Sequence, residues 1–412
     1  MPIKFLTSFR AASFVAALFA FLPGQTAAQP LLFCSVNSGV PPLARGEGNA
    51  EYASDVVLVC TGGDPLAPLL VNFQLFASVA LTSNVTDPPA QETEALLLID
   101  EPLPAALNNS NGYPYTGQVK GQPGVPAGDP GSGNVYQGVV ASANAVAWLS
   151  VPFVPPGDSG QRIIRLTNIR VAASTVAAST AVPVEAYISV TSSTSIPVTN
   201  PQLVVAIVVP GMTVTSQING NRASVSFREA FGTAFKKRIE NTTSGPTSPA
   251  PQNVPGAIYN TESGFTPDFA TLSAGDVGSA NVGTRLVAVI ANIPAGVTAM
   301  LAPNSVLSDT GSLVLRRVRP PYGAGYAGGM LAPASGYGGV GVNAGRATVL
   351  YEVLPVAPYQ NVNGAVTLDQ FTVITQSYPA TPLAGATIVG KFAPIDVTQT
   401  ASGPAPEPRF MK

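Results

Sequence analysis

Two cysteines, a thin scatter of carboxylates and no histidine set the chemistry open to this 412-residue chain. Histidine is the only side chain whose unperturbed pKa lies between pH 5 and 8. Its absence removes the usual general base, the usual partner of a nucleophilic serine or cysteine, and the commonest metal ligand. Carboxylates alone suffice for glycoside hydrolysis, which needs two of them. Asp55, Asp100-Glu101, Glu185, Glu229, Asp268 and Asp369 are available, but linear spacing pairs none of them. Aromatic residues make up 7% of the chain and Trp148 is the single tryptophan, a thin supply of stacking surface for a sugar-cleaving groove.

Two strings imitate active sites. Gly157-Asp158-Ser159-Gly160 looks like the nucleophile region of trypsin-like serine proteases, where a histidine must take the serine proton. This chain has none, and the string reads as a hairpin turn. Gly323-Ala324-Gly325-Tyr326-Ala327-Gly328 has the dinucleotide spacing, which means something only between a strand and a helix N-terminus. Pro320-Pro321 before it and Gly329, Pro333 and Gly336 after it leave no room for that helix. Loop acids such as Asp129, in Gly128-Asp129-Pro130-Gly131, could contribute oxygen ligands to Ca²⁺, but no complete calcium loop is present and no other cofactor is implied. Asn84-Val85-Thr86, Asn108-Asn109-Ser110 and Asn241-Thr242-Thr243 match the glycosylation sequon.

The first 28 residues read as a removed export signal. Lys4 and Arg10 give a positive start, residues 11–22 an apolar run, Pro23-Gly24 a break, and Thr26-Ala27-Ala28 the small residues a signal peptidase reads. The run is too short to cross about 30 Å of hydrocarbon. The mature chain then carries 18 basic and 22 acidic groups, which argues against nucleic acid and anionic membrane as partners. In an oxidising compartment the lone pair Cys34 and Cys60 is most simply one disulfide, two buried free thiols being the alternative.

Elements to position these groups must be strands. Glycine and proline number 40 each, which breaks long helices but suits turns and strand edges. Leu69, Val71, Phe73, Leu75, Ala77, Val79 and Leu81 alternate with more polar positions, the period of a strand with one buried face. Similar runs recur at 55–61, 95–99, 145–153, 163–171, 184–191, 203–209, 214–218, 223–227, 286–293, 312–318, 347–354, 366–374 and 387–392. Asn219-Gly220 marks the sharpest hairpin. One short helix is expected at 228–240, with Lys236, Lys237 and Arg238 complementing its C-terminal dipole and Gly232 weakening it.

The fold class is therefore all-β. Two β-sandwich-like domains of short antiparallel strands, Ig-like or jelly-roll-like, occupy 29–196 and 197–400, with a polar tail at 401–412. A Gly/Tyr-rich loop spans 320–345. Its Tyr322, Tyr326 and Tyr337 form a possible interaction surface. The uncharged run 203–209 must be covered on its faces, either within the chain or by a partner strand.

Val59-Cys60-Thr61-Gly62-Gly63, Ala95-Leu96-Leu97-Leu98-Ile99-Asp100-Glu101-Pro102 and Arg165-Leu166-Thr167-Asn168-Ile169-Arg170 resemble a group of secreted, β-rich proteins of environmental bacteria. Ser195-Ile196-Pro197 and Phe231-Gly232-Thr233-Ala234-Phe235-Lys236 extend the resemblance over roughly residues 34 to 320. It implies export and an extracellular role and supplies no catalytic residues.

Together these features point to a secreted, non-catalytic structural or adhesive protein at the cell surface, without a transmembrane anchor in its mature chain and capable of self-association or of holding surface polysaccharide. A carbohydrate-binding module would instead show a row of exposed aromatics on one sheet face. A carboxylate-only glycoside hydrolase would show two acids facing each other across a cleft.

Overall fold

The computed structural model describes residues 31–83, 85–87, 90–100, 135–176, 180–232, 234–235, 284–322, 329–356 and 368–393. These residues are all-β, and the one helical element among them is a three-residue turn at Ala173–Thr175. The first strands are β1 (Phe33–Ser38), β2 (Leu43–Arg45), β3 (Glu51–Tyr52), β4 (Val56–Gly62), β5 (Leu69–Ala77), β6 (Val85–Asp87), β7 (Glu92–Ile99), β8 (Val135–Ser142), β9 (Ala145–Phe153), β10 (Gly157–Thr167), β11 (Arg170–Val171), β12 (Val182–Ser192), β13 (Val198–Thr199) and β14 (Gln202–Val209). They are followed by β15 (Met212–Asn219), β16 (Arg222–Glu229), β17 (Arg285–Ala291), β18 (Ala299–Pro303), β19 (Ser305–Leu307), β20 (Leu313–Arg319), β21 (Met330–Leu331), β22 (Tyr337–Gly341), β23 (Ala347–Pro355), β24 (Gln370–Tyr378) and β25 (Thr387–Phe392).

Alternation decides which face each strand buries. In β5 Val71, Phe73, Leu75 and Ala77 are buried while Leu70, Asn72 and Gln74 face outward or sit half-buried, as the period-2 pattern predicts. The pattern ends at Ala77, and Leu81 makes an isolated bridge to Val171 instead. Apart from β3 and β11, which pair with each other, the strands up to β14 form one twelve-stranded sheet ordered β13-β1-β4-β10-β7-β8-β9-β5-β12-β14-β2, with β6 on β7. Val36 of β1, Leu58 of β4, Phe73 of β5, Trp148 of β9, Ile188 of β12 and Val205 of β14 share one apolar cluster. Strands from both ends of the order bury side chains in the same core, so the sheet curls round on itself. Gly138 of β8 makes room for it: a Cβ there would lie 3.0 Å from the Trp148 ring.

The remaining strands form two antiparallel sheets. One is ordered β15-β16-β24-β18-β22, the other β19-β20-β23-β17-β25 with β21 on β20. Phe227, Phe371, Val373 and Met300 of the first meet Leu286, Ile290, Leu315, Val349 and Tyr351 of the second in a common core. The β15–β16 hairpin turns at Gly220, whose φ of 57° favours glycine, and Asn219 pairs with Arg222.

The run 203–209 is β14, an interior strand between β12 and β2, so of the two covers expected for it the structure shows the one from within the chain. Several other expectations need correction. Both β13 and β14 are hydrogen-bonded into the first sheet, beyond the expected boundary at 196/197. Gly157-Asp158-Ser159-Gly160 is not a hairpin turn. It opens β10, where the register against β4 shifts, and β9 and β10 pair with other strands and not with each other. The helix expected at 228–240 begins instead as the end of β16, with Arg228 paired to Gln370 and a bend at Phe231 and Gly232. Residues 236–240 lie outside the described residues, as do the signal at 1–28, Asp129, Tyr326, the 401–412 tail and the sequon asparagines. The Gly/Tyr-rich stretch 320–345 is not one long loop, for it contains β21 and β22.

Candidate functional site

Cys34 and Cys60 lie directly opposite one another in the β1–β4 register and form a disulfide with an S–S distance of 1.99 Å. Both are buried in the first core.

Of the described candidates for acid–base chemistry, the fold brings one pair of carboxylates together. Glu229 ends β16 and Asp369 precedes β24, and both are buried. The Phe235 N–H donates to Glu229 Oε1 at 2.7 Å and the Asp369 N–H to Glu229 Oε2 at 2.9 Å. Asp369 in turn accepts the Thr310 hydroxyl and, at 2.9 Å, the Ser312 hydroxyl. Burial raises the Glu229 pKa above the ordinary carboxylate range. The two backbone donors and Arg45 oppose that rise, and the neighbouring Asp369 charge adds to it. A raised carboxyl is a fit proton donor in principle. Here its oxygens are committed to backbone N–H groups, so the pair anchors the bend after β16 and the 308–312 turn to the start of β24.

The other named acids are dispersed. Asp55 accepts from Tyr52 at 2.6 Å and from Arg165 and Thr167 at 2.8 Å each. Asp100 pairs with Arg162 and accepts the Ile163 N–H. Glu185 accepts from Gln202 at 2.9 Å on an exposed face. Glu101 and Asp268 lie outside the described residues. Deep burial also pushes the Tyr136 phenol up to about 12.

The densest polar cluster was not singled out by sequence reasoning. Arg45, at the end of β2, is buried and bonds Glu51 through Nε at 2.9 Å and Nη2 at 2.6 Å. Its Nη1 donates to the Ala234 carbonyl at 3.1 Å and to Thr284 Oγ1 at 3.0 Å, both in the second half of the chain. The guanidinium lies 5.3 Å from the centre of the Phe392 ring, within cation–π range. Glu47 adds a link by accepting the Gly211 N–H at 2.9 Å. Beside it Arg285 and Glu352, both fully buried, pair across β17 and β23 at 2.8 Å. A recess of about 10 Å³, lined by Arg45, Glu47, Asn49, Thr284, Arg285 and Phe392, is about the size of one water. The available signal was scarcity: in a chain that is 10% charged, an arginine beside an apolar strand calls for a buried partner.

Of the tyrosines of 320–345, the two described, Tyr322 and Tyr337, are not brought together. Tyr322 packs against the small cluster of Val287, Val318, Leu350 and Ala393 on one sheet, while Tyr337 stands 73% exposed on the edge of the other. A different aromatic pair emerges on an open sheet face. Phe76 and Tyr187 are cross-strand neighbours on β5 and β12 with ring centroids 6.4 Å apart, and Ser189 and Gln74 are paired beside them.

No helix among the described residues is long and apolar enough to cross a membrane. No family profile matches the chain, and no curated protein matches it. Among solved structures, the B domain of a biofilm associated protein aligns over 84% of this chain and 72% of its own, with 7% identity and a TM-score of 0.23. A DUF4466 family protein from Parabacteroides merdae aligns over 79% and 100%, with 11% identity and a TM-score of 0.23. The BSP domain of a biofilm associated protein aligns over 85% and 49%, with 8% identity and a TM-score of 0.18. Likeness this remote carries no argument about fold or role, which rest on the chain's own geometry.

Proposed function

We propose that this chain is an exported, non-catalytic structural or adhesive protein of the cell surface, of the secreted β-rich kind that its sequence resembles. One observation carries the reading: buried charge in the described chain is spent on holding strands and loops together. Arg45–Glu51 and Arg285–Glu352 fasten strands, while Glu229 and Asp369 pin loops. The buried Cys34–Cys60 disulfide supports an oxidising destination, since such bonds are rare in the cytosol. The test is to follow the full chain in the cells that make it, by fractionation and by attachment of cells lacking it. Recovery at the cell surface and weakened attachment are expected. Recovery in the cytoplasm would overturn the reading, as would polysaccharide hydrolysis by pure protein that vanishes in Glu229→Gln.

Phe76 and Tyr187, flanked by Gln74, Ser189 and the Glu185–Gln202 pair, favour a second reading, a sugar-holding face. A glycan-array signal lost in Tyr187→Ala would establish it.

A further inference from the structure

The edges of the sandwich are guarded unequally. At one end of the five-stranded sheet, β15 packs against β25 of the facing sheet. At the other end β22, which touches β23 of the facing sheet, is hydrogen-bonded among the described strands to β18 alone. Their register runs unbroken from Tyr337 opposite Pro303 to Gly341 opposite Ala299. Beyond it the Val342 N–H donates to the Thr298 carbonyl, and the Gly336 carbonyl accepts from the Asn304 N–H. By the antiparallel alternation, Gly338 and Val340 therefore bond inward, and the N–H and C=O groups of Tyr337, Gly339 and Gly341 point outward. The same three residues are exposed. The strand reads Tyr-Gly-Gly-Val-Gly, without the charge, proline or bulge that usually blunts an edge.

We propose that β22 is a self-association edge, pairing antiparallel with β22 of a second copy about a two-fold axis at Gly339. What points to a second copy is self-complementarity. In this register Gly339 meets its own mate and Tyr337 meets Gly341 of the other chain, so all three outward residues fall in hydrogen-bonded pairs. Each tyrosine then covers the backbone that a glycine leaves bare. The two-fold closes on itself and yields a dimer, not a fibre. The strand offers a foreign peptide main-chain bonds but, Tyr337 apart, no side chain with which to select it. This names a partner for the structural role proposed above and rests on that role for its use, while the pairing itself is tested independently of surface attachment.

Light scattering of the full chain across a wide concentration range should show a dimer that dissociates on dilution. Gly339→Pro removes the outward N–H and leaves the β18 ladder alone, and a Cβ at this position lies 3.9 Å from its nearest neighbour, Ala299. A monomer with unchanged circular dichroism is expected. Gly341→Lys places a charge on the edge where a Cβ meets nothing within 4 Å, and should weaken the dimer at least tenfold even if the proline variant misfolds. Because the two native cysteines are joined to each other, Gly339→Cys introduces the chain's lone free thiol and should give a disulfide-linked dimer in air. A wild-type monomer at every concentration would overturn the proposal, as would a dimer indifferent to Gly341→Lys or a Gly339→Cys chain that does not cross-link. Lost attachment with the dimer intact would count against the surface role and leave the pairing standing.

Discussion

The disulfide joins strands that are already neighbours, so its contribution lies mainly in the unfolded chain. Linking residues 26 apart in sequence restricts the denatured ensemble by about 3.5 kcal/mol on the loop-entropy account. Cys60→Ala should therefore lower unfolding stability by about 2–4 kcal/mol in denaturant titration. Thiol labelling of the unfolded, unreduced wild type should find no free cysteine. Glu229 makes the opposite kind of demand, because its pKa is raised in the folded state. Between the ordinary carboxylate pKa and the raised one, the native protein holds a proton that the unfolded chain has lost. The group therefore favours folding at acid pH, and that advantage fades as pH rises through the folded pKa. Measured by denaturant unfolding, wild type should gain stability relative to Glu229→Gln as pH is lowered through this window. A difference independent of pH would refute the assignment.

Strands were the most legible elements, because period-2 alternation is a local property of sequence. Residues 145–153 and 387–392 were read with the bounds that β9 and β25 show. The departure from a helix over the described part of 228–240 has a tertiary cause. Phe235 packs 5.7 Å from Phe371 and 6.1 Å from Phe392, and Glu229 caps its N–H, so residues distant in sequence override a local helical pattern. The short strands β2, β3, β13, β18 and β22 escaped notice because two to five residues show too little alternation to register. Glycine has a packing role that no local pattern reveals. Gly390 on β25 faces Phe227, and a Cβ there would lie 2.5 Å from that ring and 2.7 Å from Val225. Gly390→Val should cost about 1–3 kcal/mol through overpacking, read as a lowered denaturation midpoint. A neutral result would mean the two sheets can part at this corner.

At the scale of the whole molecule the two cores are riveted by Arg45, whose partners come from both halves of the chain. The sequence signals that Arg45 needs a buried partner but not which one, since Thr284 is 239 residues away and no spacing rule reaches that far. Arg45→Met should destabilise by about 3–5 kcal/mol, because it removes the Arg45 charge from beside buried Glu51. Adding Glu51→Leu should recover a large part of that loss, and calorimetry of the single and double variants measures both effects. Equal stability of wild type and Arg45→Met would show that the junction contributes nothing.

Arg45 also leaves the ribosome long before the residues that receive it. Among the described residues the twelve-stranded sheet takes all its strands from before residue 210, so after export it can close while the second half is still unfolded. Until Thr284 and Phe392 arrive, the Arg45–Glu51 pair faces water, where such pairs are worth little. A chain cut short before β25 would carry a finished first core with a wet, loosened flank. That flank would expose the 43–51 segment to proteases, so the last strand made would protect one of the first.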